Sequence, residues 1–133
     1  MSEPSGGRPD AVHLILPADE ASVGLARSLA AAIAVRADLP VDELEDLRLA
    51  VSEAVTGAIT EALPGSTVSC SFVEDTHWLQ VVVRYRARNG NGPDTEGFGW
   101  AIMRALCTHL DAEVEGDAVT LDLRVERTLS AQA

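Results

Sequence analysis

Residues 42–63 carry the pattern that most limits what this chain can fold into. Leu44, Leu47, Val51, Val55, Ala58 and Ala62 recur at helical spacing between Pro40 and the Pro64-Gly65 pair. Such a stripe makes a long helix with one apolar face, and that face has to be buried against something. Asp42 is expected to cap the helix, with Glu45 three residues on as its capping-box partner, and the helix is expected to run to Leu63.

The flanking segments supply the surface it needs. Residues 11–18 alternate as a strand ending at Pro17. A helix over 21–39, capped by Asp19 or Ser22, stops before Pro40. Residues 66–75 and 77–88 read as a hairpin connected at Asp75–Thr76, and 113–117 and 118–127 as a closing pair of strands. Residues 100–112 read as a third helix, with apolar spacing at 102, 106 and 110. Between them, "NGNGPDTEGFG" (89–99) is too rich in glycine and proline for regular structure. The order β-α-α-β-β-loop-α-β-β predicts a two-layer α/β sandwich: one mixed, mostly antiparallel sheet with its helices on one face. The sequence predicts one domain over 11–127, a disordered tail over 1–10 and a short C-terminal tail over 128–133.

Charge narrows the partners. The net charge is −11 and lysine is absent, so all ten basic residues are arginines. Direct binding to nucleic acid or anionic lipid is disfavoured, a basic protein partner is favoured, and lysine chemistry is excluded. Cys70 and Cys107 form no CxxC pair and read as buried thiols of a strand and a helix in a reducing compartment. No apolar run is long enough for a membrane span and the first residues do not form a signal peptide, so a cytoplasmic location is expected.

Two segments carry possible chemistry. On the long helix, Glu53 and Gly57 lie one turn apart, and glycine there costs about 1 kcal/mol relative to alanine. In the glycine-rich segment, Gly90, Gly92, Gly97 and Gly99 precede a helix whose free N–H groups can cradle an anion. His13, His77 and His109 are scattered, and no metal site is expected from them. Ser52 lacks a histidine spaced to activate it.

"DLRLAVSEAVTGAI" (46–59) and "EGFGWAIMRAL" (96–106) resemble the two best-marked motifs of the bacterial anti-sigma factor/serine kinase family, the RsbW-like branch of the GHKL ATPase fold. "LPADEASVGLARSLAAAIA" (16–34) resembles the family's first strand and helix. The resemblance implies ATP with Mg²⁺ as cofactor, a homodimer, an alternative sigma factor as partner, and an antagonist anti-anti-sigma protein of STAS type, which many members phosphorylate on serine. It implies that Glu53 polarises the attacking hydroxyl or water, and that Gly90, Gly92, Gly97 and Gly99 belong to the phosphate loop. It also implies that Arg27, in "GLARSL", meets sigma.

Two departures stand against the catalytic part of that pattern. The family's Mg²⁺-holding asparagine falls at Gly57, which has no side chain to ligate a metal. The family's adenine-contacting aspartate falls at Tyr85 or at Arg88, depending on how the strand is counted, and neither is a carboxylate. A sigma-sequestering protein of stress or sporulation type, with a degenerate nucleotide site, is therefore expected first. An active serine kinase using Glu53 is the alternative.

Overall fold

The computed structural model describes residues 11–90 and 92–127; the two expected tails and Asn91 lie outside the described residues. Five strands, β1 (Val12–Pro17), β2 (Thr67–Glu74), β3 (Trp78–Arg86), β4 (His109–Glu115) and β5 (Ala118–Glu126), form one sheet in the order β1-β2-β3-β5-β4. Every neighbouring pair is antiparallel, so the sheet is not mixed. The helical excursions over residues 22–61 and 98–106 return the chain in the sense that antiparallel pairing needs.

Side chains alternate across the strands. Leu79, Val81, Val83 and Tyr85 of β3 and Val119, Leu121, Leu123 and Val125 of β5 are buried beneath the helices. Their neighbours Gln80, Arg84, Thr120, Asp122 and Arg124 fall on the other face, as a two-residue period requires. Helix α1 (Ser22–Arg36) buries Ala26, Ala30 and Ala34 completely, and these small side chains let it lie close against α2 (Val41–Glu61). Helix α2 buries Leu47, Ala50, Val51, Ala54, Val55 and Ala58 in turn.

The element ends depart from expectation for local reasons. Asp42 does not cap α2, and there is no capping box with Glu45: Pro40 occupies the N-cap position and its carbonyl accepts from the Leu44 N–H. Asp42 and Glu43 fall inside the first turn, where their charge favours the positive end of the helix dipole. At α1 the N-cap is Ala21. Asp19 accepts the Ala21 N–H, and Ser22 turns inward to donate to the Pro17 carbonyl.

The third helix, α3 (Phe98–Leu106), is shorter than predicted. Cys107 ends it, and residues 109–115 pair with β5 as an edge strand. His109 therefore lies on a strand. Leu106 and Leu110 imitate one helical turn, but Leu110 and Ala112 alternating with exposed His109, Asp111 and Glu113 is the pattern of a strand.

The C-terminus of α2 is joined to the end of β3. The Leu63 N–H donates to the Arg86 carbonyl, the Arg88 N–H donates to the Glu61 carbonyl, and Ala62 bridges Ala87. These bonds stop the helix at Glu61, two residues before the predicted end, and fix its last turn beside Tyr85.

Candidate functional site

Helix α2, the end of β3 and the segment leading into α3 enclose a cleft of about 250 Å³. Glu53, Gly57 and Glu61 descend along its α2 wall at intervals of four, one helical turn each. Gly97, Phe98, Gly99 and Trp100 form the opposite side, Tyr85 and Leu121 come up from the sheet, and Pro93 and Asp94 complete the rim.

The fold brings together four of the glycines and acids singled out in the sequence: Glu53, Gly57, Gly97 and Gly99. Gly97 is the N-cap of α3 in extended conformation, so the first N–H groups of the helix open towards the cleft. A Cβ on Gly99 would stand 2.8 Å from Glu53 Oε1. The Glu53 carboxylate thus rests against the first turn of α3, where the helix dipole favours negative charge. Gly92 lines an adjoining cleft of about 310 Å³ with Arg88, Asn89, Thr60 and Glu61. Gly90 lines neither; it takes a positive φ of 68° to turn the chain beside Gly116.

Tyr85 and Arg88, the two positions at which the resemblance puts the adenine contact, lie in different places. Tyr85 is buried at 4% exposure and lines the cleft with Glu53 and Gly57. Its hydroxyl donates to Glu61 Oε1 at 2.8 Å. Burial, followed by the hydrogen bond and the charge of Glu61, holds the phenol protonated well above its usual range. Arg88 lies outside this cleft, and its guanidinium donates to the Thr60 carbonyl at the C-terminus of α2. That end has no basic residue of its own, so Arg88 supplies the cation that the helix terminus favours.

Glu61 is the cleft residue that sequence reading missed. Its signal was present: it continues the Glu53–Gly57 spacing by one more turn. Only the joint between α2 and β3 shows that this turn faces the cleft.

The asparagine-held Mg²⁺ that the resemblance implies does not fit at Gly57. Gly57 offers no ligand, and nothing lies within 4 Å of where its Cβ would be. Among the described residues lining the cleft the charged side chains are Glu53, Glu61 and Asp94, and no arginine joins them. One phosphate charge about 6 Å from one carboxylate is disfavoured by about 3 kcal/mol at an effective dielectric constant of about 20. A triphosphate would need a cation to offset several such terms, and Gly57 contributes no ligand to one.

Residues 16–124 match the histidine kinase-like ATPase domain model. The chain belongs to this family. It is 31% identical over 135 aligned positions, covering 92% of this chain and 77% of the relative, to the anti-sigma-F factor RsbW of Mycobacterium tuberculosis. It is 33% identical over 77 positions, covering 57% of this chain and 48% of the relative, to the serine-protein kinase RsbW of Halalkalibacterium halodurans. A solved structure of the RsbU and RsbW domains of Rv1364c from M. tuberculosis superposes with a TM-score of 0.73 at 16% identity, over 89% of this chain. The chain spans about a third of that protein, 33% of its length, and this likeness concerns the fold. The protein is an RsbW-like member of the GHKL group, with the antiparallel sheet and one-sided helices of that fold.

Arg27 stands apart from the cleft. It is exposed on α1 and lines a groove of about 390 Å³ with Glu45, Asp46, Arg48, Leu49 and Ser52 of α2. Arg48 pairs with Glu45 at 3.6 Å, whereas Arg27 has no ion pair among the described residues. Leu49, in the same groove, is 44% exposed. No helix among the described residues is long and apolar enough to cross a membrane.

Proposed function

We propose that this protein is an anti-sigma factor that acts by binding an alternative sigma factor, without needing its nucleotide cleft for catalysis. The observation that carries the proposal is the contrast between its two surfaces. The cleft offers no metal ligand at Gly57, while Arg27 is exposed beside Leu49 in the α1–α2 groove with no ion pair among the described residues. Identity across most of the chain with a relative named anti-sigma-F factor supports the same reading.

The physics of the groove suits such a partner. A guanidinium on a rigid helix beside an apolar side chain can take an acidic anchor through charge-assisted bonds. The surrounding charge of −11 speeds encounter with a basic domain. The proposal includes an antagonist of STAS type that competes for the protein, a homodimer, and a cytoplasmic location.

A second reading, an active serine kinase, draws on Glu53 being held at the cleft and on the relative named serine-protein kinase. Co-purification with the alternative sigma factors of its own host tests the first reading. A stoichiometric complex that forms equally with and without MgATP is expected. Absence of a complex with every such factor, or a complex that requires MgATP, would overturn it.

A further inference from the structure

We propose that the mouth of the cleft is a second docking surface of this protein, and that it takes a basic, amphipathic segment of a protein partner with Phe98 as the apolar anchor. The proposal concerns this mouth alone and stands whichever partner the α1–α2 groove takes.

Phe98 opens α3 and is 82% exposed, more than any other large apolar side chain among the described residues. Elsewhere in the same helix Met103 is buried, and Trp100 and Leu106 pack against the core. A singly exposed apolar residue is ordinary. This one adjoins an apolar cavity, whose lining includes Ala54, Ala58, Pro93, Met103 and Leu121. The surface beside it is low. Gly57 is exposed with nothing within 4 Å of where its Cβ would be, and Ala101, on the outer side of α3, is exposed as well. A ring at the lip of a shallow, small-residue floor can be covered from several sides by a partner, which is the setting of an interface anchor.

Charge selects the partner. Glu53, Glu61 and Asp94 are the charged side chains lining the cleft among the described residues. Glu61 accepts from Tyr85 through Oε1, which leaves its other oxygen open to a donor. The acids do not converge on one ion: among the described residues no group of three or more acidic, histidine or cysteine side chains could hold a metal. Glu53 and Glu61 stand two helical turns apart, about 12 Å along α2. The complement is therefore a set of cations carried on a longer body. A small organic cation inside a cleft of about 250 Å³ would leave Phe98 uncovered, so the occupant extends beyond the cleft. Nucleic acid and anionic lipid are repelled, and a second copy brings its own charge of −11. A helix or extended segment that places arginine or lysine beside apolar side chains meets both features, with cations towards Glu53 and Glu61 and apolar cover for Phe98.

The test titrates the ¹⁵N-labelled full chain with a synthetic amphipathic peptide of leucine, alanine and arginine. Shifts should concentrate at the amides of Gly57, Gly97 and Gly99 and at the Trp100 indole. The same peptide with glutamate in place of arginine should not bind. Phe98→Ser should weaken binding by about tenfold or more, and Glu53→Gln by about threefold or more. Ile15→Ser, which removes another exposed apolar side chain from β1, should leave it unchanged. Circular dichroism checks that each variant is folded, and sedimentation velocity checks the parent protein for self-association.

Absence of binding at millimolar peptide would overturn the proposal, as would shifts spread over the open face of the sheet. So would a folded Phe98→Ser that binds as tightly as the parent, an equal loss on Ile15→Ser, or binding of the glutamate peptide. Self-association of the parent that Phe98→Ser abolishes would give this face to a second copy and overturn it too.

Discussion

Replacing Gly57 with alanine should make the protein more stable. Gly57 lies in the last third of the 21-residue helix α2, away from either end, and is not among the glycines with positive φ. A Cβ built on it meets no atom within 4 Å, so the added methyl costs nothing in strain. What remains is the conformational entropy that glycine loses on entering a helix, about 1 kcal/mol relative to alanine. At about 2 cal/mol/K per residue of unfolding entropy, a domain of this length should melt about 3–4 °C higher. Scanning calorimetry of Gly57→Ala beside the parent protein reads this directly. Gly57→Asn should gain only a few tenths of a kcal/mol, because asparagine lies between the two in helix propensity. A fall in the melting temperature on Gly57→Ala would mean instead that another element closes onto this glycine and needs its bareness.

Other perturbations separate the parts of the account. Arg88→Asp removes the cation at the C-terminus of α2 and puts a carboxylate beside the Thr60 carbonyl, so urea titration should show a loss of about 1 kcal/mol. Alkaline pH should destabilise the fold. Burial pushes Cys70 up to about 12 and Cys107 to about 11, and Tyr85 is also raised. Each raised group binds its proton more tightly when folded. Their contribution is therefore full below the unfolded thiol range, about 8.5, and is lost as pH rises through the folded values. Melting temperatures measured from neutral pH upward should fall across that window, and Cys70→Ala and Cys107→Ala should flatten the fall. Arg27→Glu should weaken a sigma complex by about 2–4 kcal/mol while shifting the melting temperature little, which titration calorimetry and a thermal scan read together.

The apolar stripe of α2 and the alternation of β1, β2, β3 and β5 made the layers legible, because burial on one face leaves a period in the sequence. The ends of elements were less legible. Asp42 has the chemistry of a cap, but Pro40 starts the helix before it, and the choice depends on backbone geometry. Residues 109–112 fit either period over so short a span, and pairing with β5 decides for the strand. In the cleft, Glu53, Gly57, Gly97 and Gly99 were recognisable from their motifs. The places of Tyr85 and Arg88 were not, since they turn on which side chain points beneath the helices and which lies beyond the end of β3. Glu61 continued the Glu53–Gly57 spacing, but its place in the cleft depends on the joint that fixes the last turn of α2 beside β3.

The proposed function has this protein regulate by binding through α1 and not by chemistry at Glu53. Sigma-dependent transcription in cells carrying either Glu53→Ala or Arg27→Glu tests it most directly, with protein levels matched. Glu53→Ala should repress as fully as the parent protein, and Arg27→Glu should release transcription. Release by Glu53→Ala, with repression intact in Arg27→Glu, would contradict it.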